Sequence, residues 1–139
     1  MICDGNGAAV AAVLSEGQRH DGPLFHEVYE VARCAAPASR RALPAKLAAD
    51  KAYRAKHILE RLEADGVEPV IPPKVNEKPR AGGRVFDAET YRGRNIVERL
   101  FGWLKHWRGI ATRYDKLARN YYATLLVALI ERSLRGGAK

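Results

Sequence analysis

The chain has 139 residues, 47% of them apolar, which suits one domain of ordinary size and excludes wholesale disorder. Its formal net charge of +8 and pI near 9.8 favour a polyanionic partner, of which DNA or RNA is the commonest and an anionic membrane surface the weaker alternative. No apolar run reaches a membrane-spanning length, and no basic region followed by an apolar core marks a secretory signal. Cys3 and Cys34 lack metal-ligand spacing and read as free thiols of a reducing, cytoplasmic compartment.

In chain order, Asp4-Gly5-Asn6-Gly7 predicts a hairpin turn, because Asp-Gly and Asn-Gly tolerate the positive φ that such turns need. Ala8 to Leu14 is the strand after it. Met1 to Cys3, the strand before it, is short, so the chain is expected to begin partway through a strand. A loop follows at Gly17 to Asp21, then a helix entered at Pro23 and running to about Arg33. Residues 37–44 read as a linker. Lys46 to Ala49 reads as a short strand ending at Asp50, and Arg54 to Asp65 as a helix with Ile58, Leu59 and Leu62 inward, capped by Gly66. Glu68 to Ile71 is a second short strand stopped by Pro72-Pro73. The basic loop, 72–86, contains Lys74, Lys78, Arg80 and Arg84. One long helix is expected from Asp87, as cap, to about Trp107. A last helix spans about Leu117 to Leu134, with 136–139 as a tail. Strands alternating with helices, after an opening hairpin, predict an α/β fold with a mixed sheet flanked by helices.

On that long helix each residue turns by about 100°. Taking Arg94 as zero, Lys105 falls at about 20°, Glu98 at about 40° and Tyr91 at about 60°. The four polar residues therefore share one stripe. Trp103, Ile96, Trp107, Leu100, Leu104 and Val97 lie opposite and should pack on a core, while Phe101 falls beside the stripe. A carboxylate between two cations suits a metal ligand with phosphate-binding neighbours. Charged stripes more often just face water, so the residues alone favour a solvent-exposed ion pair between Arg94 and Glu98, four residues apart, worth about 0.2–0.5 kcal/mol.

The spacing Tyr91-x2-Arg94-x3-Glu98-x6-Lys105, with the run Arg94 to Lys105 and the continuation Arg113-Tyr114-Asp115-Lys116, resembles the signature around the last acidic residue of bacterial insertion-sequence DDE transposases. Asp50-Lys51-Ala52-Tyr53 resembles the Asp-x-x-Tyr element around the second acidic residue of that family. The resemblance implies an RNase H-like catalytic domain over 1–135, with the first strand missing, hence a C-terminal fragment. It implies DNA transposition by metal-dependent strand cleavage and transfer, with Asp50 and Glu98 as catalytic, metal-binding carboxylates. The implied ion is Mg²⁺, with Mn²⁺ as an alternative, and two such ions clamp the attacking and leaving oxygens. Tyr91, Arg94 and Lys105 would be signature residues contacting DNA or orienting Glu98.

Asp4 and Asp21 match the hairpin turn and the following loop of the family, so neither is assigned as its first carboxylate. That carboxylate is expected to lie upstream of the hairpin, and the chain alone is expected to be inactive. The implied partners are element-end and target DNA, an upstream transposase polypeptide, or further copies of the chain, at a bacterial nucleoid and not at a membrane. The alternative is a non-catalytic DNA-binding or transposase-inhibiting remnant. His20, His26, His57 and His106 form no ligand spacing.

Overall fold

A computed structural model describes residues 1–16, 22–35, 43–75, 77 and 86–135. The loop at 17–21, linker residues 37–42, Lys78, Arg80 and Arg84 of the basic loop, and the tail 136–139 lie outside the described residues. The chain divides into two compact units, one of Met1–Gly17 with Asn95–Lys139 and the other of Gln18–Arg94.

In the first unit, strands β1 (Ile2–Cys3) and β2 (Ala9–Ala11) form the expected antiparallel hairpin. Its turn is fixed by Asp4, whose Oδ1 accepts the backbone N–H groups of Asn6 and Ala8, both at 2.9 Å. Gly7 closes the turn with φ 82°, which a residue with a Cβ adopts only at a cost. Helices α4 (Asn95–Leu104), α5 (Arg108–Ala111) and α6 (Ala118–Leu134) complete the unit. Its core joins Ala12, Leu100, Leu104, Leu125, Ala128 and Leu129, with Trp103, Trp107, Ile110 and Tyr122 packed at the margin. Phe101 stays exposed, as the wheel predicts. Tyr122 donates from its hydroxyl to the Ala12 carbonyl at 2.9 Å, tying α6 to the chain just after β2.

In the second unit, a short 3-10 turn at Gly22–Leu24 leads into α1 (Phe25–Ala35). Strand β3 (Lys46–Ala48), helix α2 (Lys56–Ala64) and strand β4 (Glu68–Val70) make a strand–helix–strand unit with the two strands parallel, Lys46 opposite Glu68 and Ala48 opposite Val70. Ile58 and Leu62 of α2 are buried, as their spacing predicts, together with Phe25, Val28 and Tyr29 of α1 and Val67, Val70 and Ile71 around β4. Gly66 ends α2 with φ 73°, and the Val67 N–H returns to the Leu62 carbonyl at 2.9 Å. Helix α3 (Ala88–Arg92) closes the unit.

Two expectations change. The α/β class holds, but the described strands pair as two separate two-stranded sheets, one antiparallel and one parallel, in place of one mixed sheet. The long helix is also interrupted. At Gly93 and Arg94 the backbone N–H groups turn to i−3 carbonyls, Gly93 to Thr90 at 3.1 Å and Arg94 to Tyr91 at 3.0 Å, and α4 starts afresh at Asn95. Glycine is among the weakest helix formers, and such tight bonds are how a helix finishes. A second break at Lys105–Trp107 separates α4 from α5.

Candidate metal-binding carboxylates

The second unit positions Asp50. Strand β3 ends at Ala48, the Ala49 N–H still reaches the Val70 carbonyl, and the next residue turns out of the strand pair. Asp50 caps a 3-10 turn at Lys51–Tyr53, its Oδ1 accepting the Lys51 N–H at 2.7 Å. It is thus both the residue at the strand's carboxyl end and a turn cap. Its side chain is exposed.

Arg54 secures the far side of that turn. Its Nη1 donates to the Ile71 carbonyl at 2.5 Å, and its Nε and Nη2 grip both carboxylate oxygens of Glu77 at 2.5 and 2.8 Å. Such two-pronged pairing is the strong geometry for arginine. It holds the Glu77 carboxyl well below the usual range, at about 2. The Lys74 N–H adds a third bond to Glu77 at 3.1 Å.

Asp87 does cap α3, accepting the Thr90 N–H at 2.9 Å and the Thr90 hydroxyl at 2.6 Å. Lys46, at the start of β3, donates to the same carboxylate at 2.6 Å. The strand that leads to Asp50 is thereby tied to the helix that carries Tyr91. Those bonds, with the Lys46 ammonium first, depress the Asp87 pKa strongly. Tyr91 lies beside Phe86, with ring centres 5.3 Å apart, and the Arg94 guanidinium stands 5.4 Å from its ring centre.

The first unit positions Glu98 and Lys105. Glu98 lies exposed in the first turn of α4, where the partial positive charge of the helix end favours a carboxylate. Lys105 follows immediately after the last residue of α4 and is exposed. The interruption at Gly93–Arg94 therefore divides the signature. Tyr91 and Arg94 belong to the second unit with Asp50, and Glu98 and Lys105 to the first.

As donors, Asp50 and Glu98 offer the hard carboxylate oxygens that Mg²⁺ and Mn²⁺ take. Among the described residues no three His, Cys, Asp or Glu side chains are grouped so as to hold a metal ion. The two thiols are free, and burial, with the neighbouring Asp4 charge, raises the Cys3 pKa. No helix among the described residues is long and apolar enough to cross a membrane.

An α/β protein with one candidate carboxylate after a parallel strand and another at a helix start is the class so defined. The chain belongs to the transposase DDE domain family, whose profile matches residues 1–130. It is similar to a Burkholderia cepacia protein that carries the name of a transposase for insertion sequence element IS402, with 27% identity over 122 residues. That alignment covers 85% of this chain and 53% of the relative, so the chain spans about half the length of the curated relative it matches. No solved structure matches the chain.

Sequence reasoning missed the Lys46–Asp87 link and the Arg54 clasp. Arg54 stands directly after the Asp50-x-x-Tyr53 element, which is a signal of position. Lys46 and Asp87 are 41 residues apart and nothing local pairs them.

Proposed function

We propose that this chain is part of the catalytic domain of an insertion-sequence transposase, RNase H-like in fold, acting on DNA by divalent-metal-dependent cleavage and strand transfer. The observation that carries the reading is the family match across residues 1–130, together with the two acidic motifs, Asp50-Lys51-Ala52-Tyr53 and Tyr91-x2-Arg94-x3-Glu98-x6-Lys105. Asp50 and Glu98 are the proposed metal ligands. Oδ1 of Asp50 is taken by the Lys51 N–H, so its other oxygen is the proposed ligand atom. Magnesium or manganese, when bound, supplies activation of the attacking oxygen and stabilisation of the leaving one.

The remaining residues hold and orient. Arg94 and Lys105 neutralise DNA phosphates, and Tyr91 keeps Arg94 in place through the ring contact. The first carboxylate of the family is assigned to a segment that precedes the hairpin in the transposase.

The test supplies such an upstream segment in trans and follows Mg²⁺-dependent cleavage of element-end DNA. Residues 1–139 alone should not cleave, and the combination should. Equal cleavage by Asp50→Asn or Glu98→Gln and by wild type would show that the site assignment is wrong.

A second reading is a non-catalytic DNA-binding module that pairs with intact transposase. It is favoured by Lys105, Arg108, Arg113, Lys116 and Arg119, which are exposed and form no ion pair among the described residues, and which need no carboxylate to bind DNA. The same assay separates the two, since this module would inhibit intact transposase and never restore cleavage.

A further inference from the structure

Five cations of the second unit are held by carboxylates, and in the first unit Arg135 is held by Glu131. In the second unit Arg33, Lys46, Arg54, Lys56 and Arg61 are each ion-paired, to Glu30, Asp87, Glu77, Glu60, and Glu30 with Asp65. In the first unit, residues 105–119 hold Lys105, Arg108, Arg113, Lys116 and Arg119 against the one acid Asp115. All five cations are exposed, and none forms an ion pair among the described residues. The Asp115 carboxylate lies 3.5 Å from the Thr124 hydroxyl of α6, which also reaches the Asn120 carbonyl at 3.2 Å. The segment is held compactly against the start of α6. Tyr121 of α6 donates to the Ile110 carbonyl at 3.4 Å, and Gly109 lies so near α6 that a Cβ there would stand 3.5 Å from the Thr124 methyl.

Two further features point outward. Arg113 has φ 49°, the left-handed conformation that favours glycine, and among the described residues it is the one non-glycine residue there. A glycine would serve the turn better, so the arginine sits there at a conformational cost. Beside it Tyr114 is 68% exposed, an aromatic ring left in solvent next to cations.

We propose that the connection between α4 and α6 is a duplex-DNA backbone clamp, in which Arg108, Arg113, Lys116 and Arg119 neutralise phosphates and Tyr114 packs on the sugar edge. It takes DNA as partner from the proposed function and adds a surface that the two acidic motifs do not include. Contacts of this kind are sequence-independent and release counterions.

The test measures binding of the full chain, in EDTA, to a labelled random-sequence duplex by fluorescence anisotropy across a salt series. The variant R113Q/K116Q/R119Q should weaken binding by at least about tenfold near 0.1 M salt and flatten the log–log salt slope by about 2–3. The control R33Q/K56Q/R135Q removes equal charge from cations that are already paired, and should weaken binding by less than about twofold. Equal losses in the two triple variants would overturn the clamp, leaving net charge as the cause. Arg113→Gly should keep or raise the Tm while weakening binding. Unchanged binding by that variant would remove Arg113 from the clamp. Tighter association with vesicles of phosphatidylglycerol and phosphatidylcholine than with duplex would overturn the DNA assignment. Binding is read in EDTA and the carboxylates by Mg²⁺-dependent cleavage, so the clamp and the carboxylate assignment can fail separately.

Discussion

The Nε of Arg132 donates to the carbonyl of Gly7 at 3.2 Å, joining residues 125 positions apart in the sequence. Arg132 is only 7% exposed, and its guanidinium lies 5.1 Å from the centre of the Trp103 ring. One side chain thus joins the hairpin turn, α4 and α6. A buried charge is tolerable only with such partners. Replacing Arg132 by Ala removes the hydrogen bond, the ring contact and the packing of the side-chain stem, and should cost about 2–4 kcal/mol. Urea unfolding followed by tryptophan fluorescence measures this. A midpoint equal to that of wild type would show that the three elements are held by apolar packing alone.

Acid should loosen the second unit first. Glu77 has its carboxyl lowered from 4.5 to about 2, chiefly by the Arg54 hydrogen bonds, and Asp87 is depressed in the same direction by Lys46 and Thr90. A depressed carboxylate adds stability above its unfolded pKa and loses it as pH falls through the folded value. The Glu77 contribution should therefore be intact above about pH 4.5 and fade toward about pH 2. Arg54→Gln should remove the Glu77 part of this dependence. An unaltered acid-unfolding profile in that variant would place the dependence on other carboxylates.

Tyr29 is buried against Phe25, the rings stacked at 5.3 Å, and its hydroxyl lies near the Asp65 carboxylate but makes no well-formed hydrogen bond among the described residues. A buried unpaired hydroxyl costs free energy, so Tyr29→Phe should be neutral or stabilising by up to about 1 kcal/mol. Thermal unfolding would register this as an unchanged or raised Tm. A clear loss would reveal a partner for the hydroxyl in solution.

Gly66 has a left-handed φ and open space around its missing Cβ. Gly66→Ala should therefore cost about 1 kcal/mol through backbone strain alone, with no steric clash. Amide exchange at Val67, whose N–H closes the end of α2, should quicken in step. Unchanged stability would mean that the turn relaxes into another conformation.

Asp50→Asn separates structure from chemistry. Asn caps as well as Asp, so the turn at Lys51–Tyr53 should keep its stability within about 0.5 kcal/mol. The negative charge that a divalent cation needs would be gone. Calorimetric titration with Mn²⁺, using chain 1–139 joined to an upstream segment, should show the heat of binding lost in the variant. Retained binding would move the ligand elsewhere.

Local signals were legible wherever a few neighbouring residues decide the outcome. The Asp-Gly-Asn-Gly turn, the inward Ile58 and Leu62, the Gly66 stop, the Asp87 cap and the core-facing Leu100 and Leu104 all follow from turn chemistry and helical period. The long helix is where that reasoning failed. Its apolar period continues from Ile96 to Trp107, but period does not report breaks, and Gly93 and the Lys105–Trp107 turn divide it. The polar stripe of Tyr91, Arg94, Glu98 and Lys105 presupposes one continuous helix, and its four residues belong to two units. Asp50 and Glu98 were legible as motif positions.

By itself the sequence determined the α/β class, the acidic motifs and the family, because these rest on residue identity, spacing and short-range backbone preference. The tertiary structure alone decided which cations are spent. Ion pairs such as Lys46–Asp87 and Arg54–Glu77 join residues 41 and 23 positions apart, and only folding brings them together. It also buried Arg132 and left Arg108, Arg113, Lys116 and Arg119 facing solvent. Net charge counts all of these alike, whereas the field a partner meets comes from cations that no local carboxylate has neutralised.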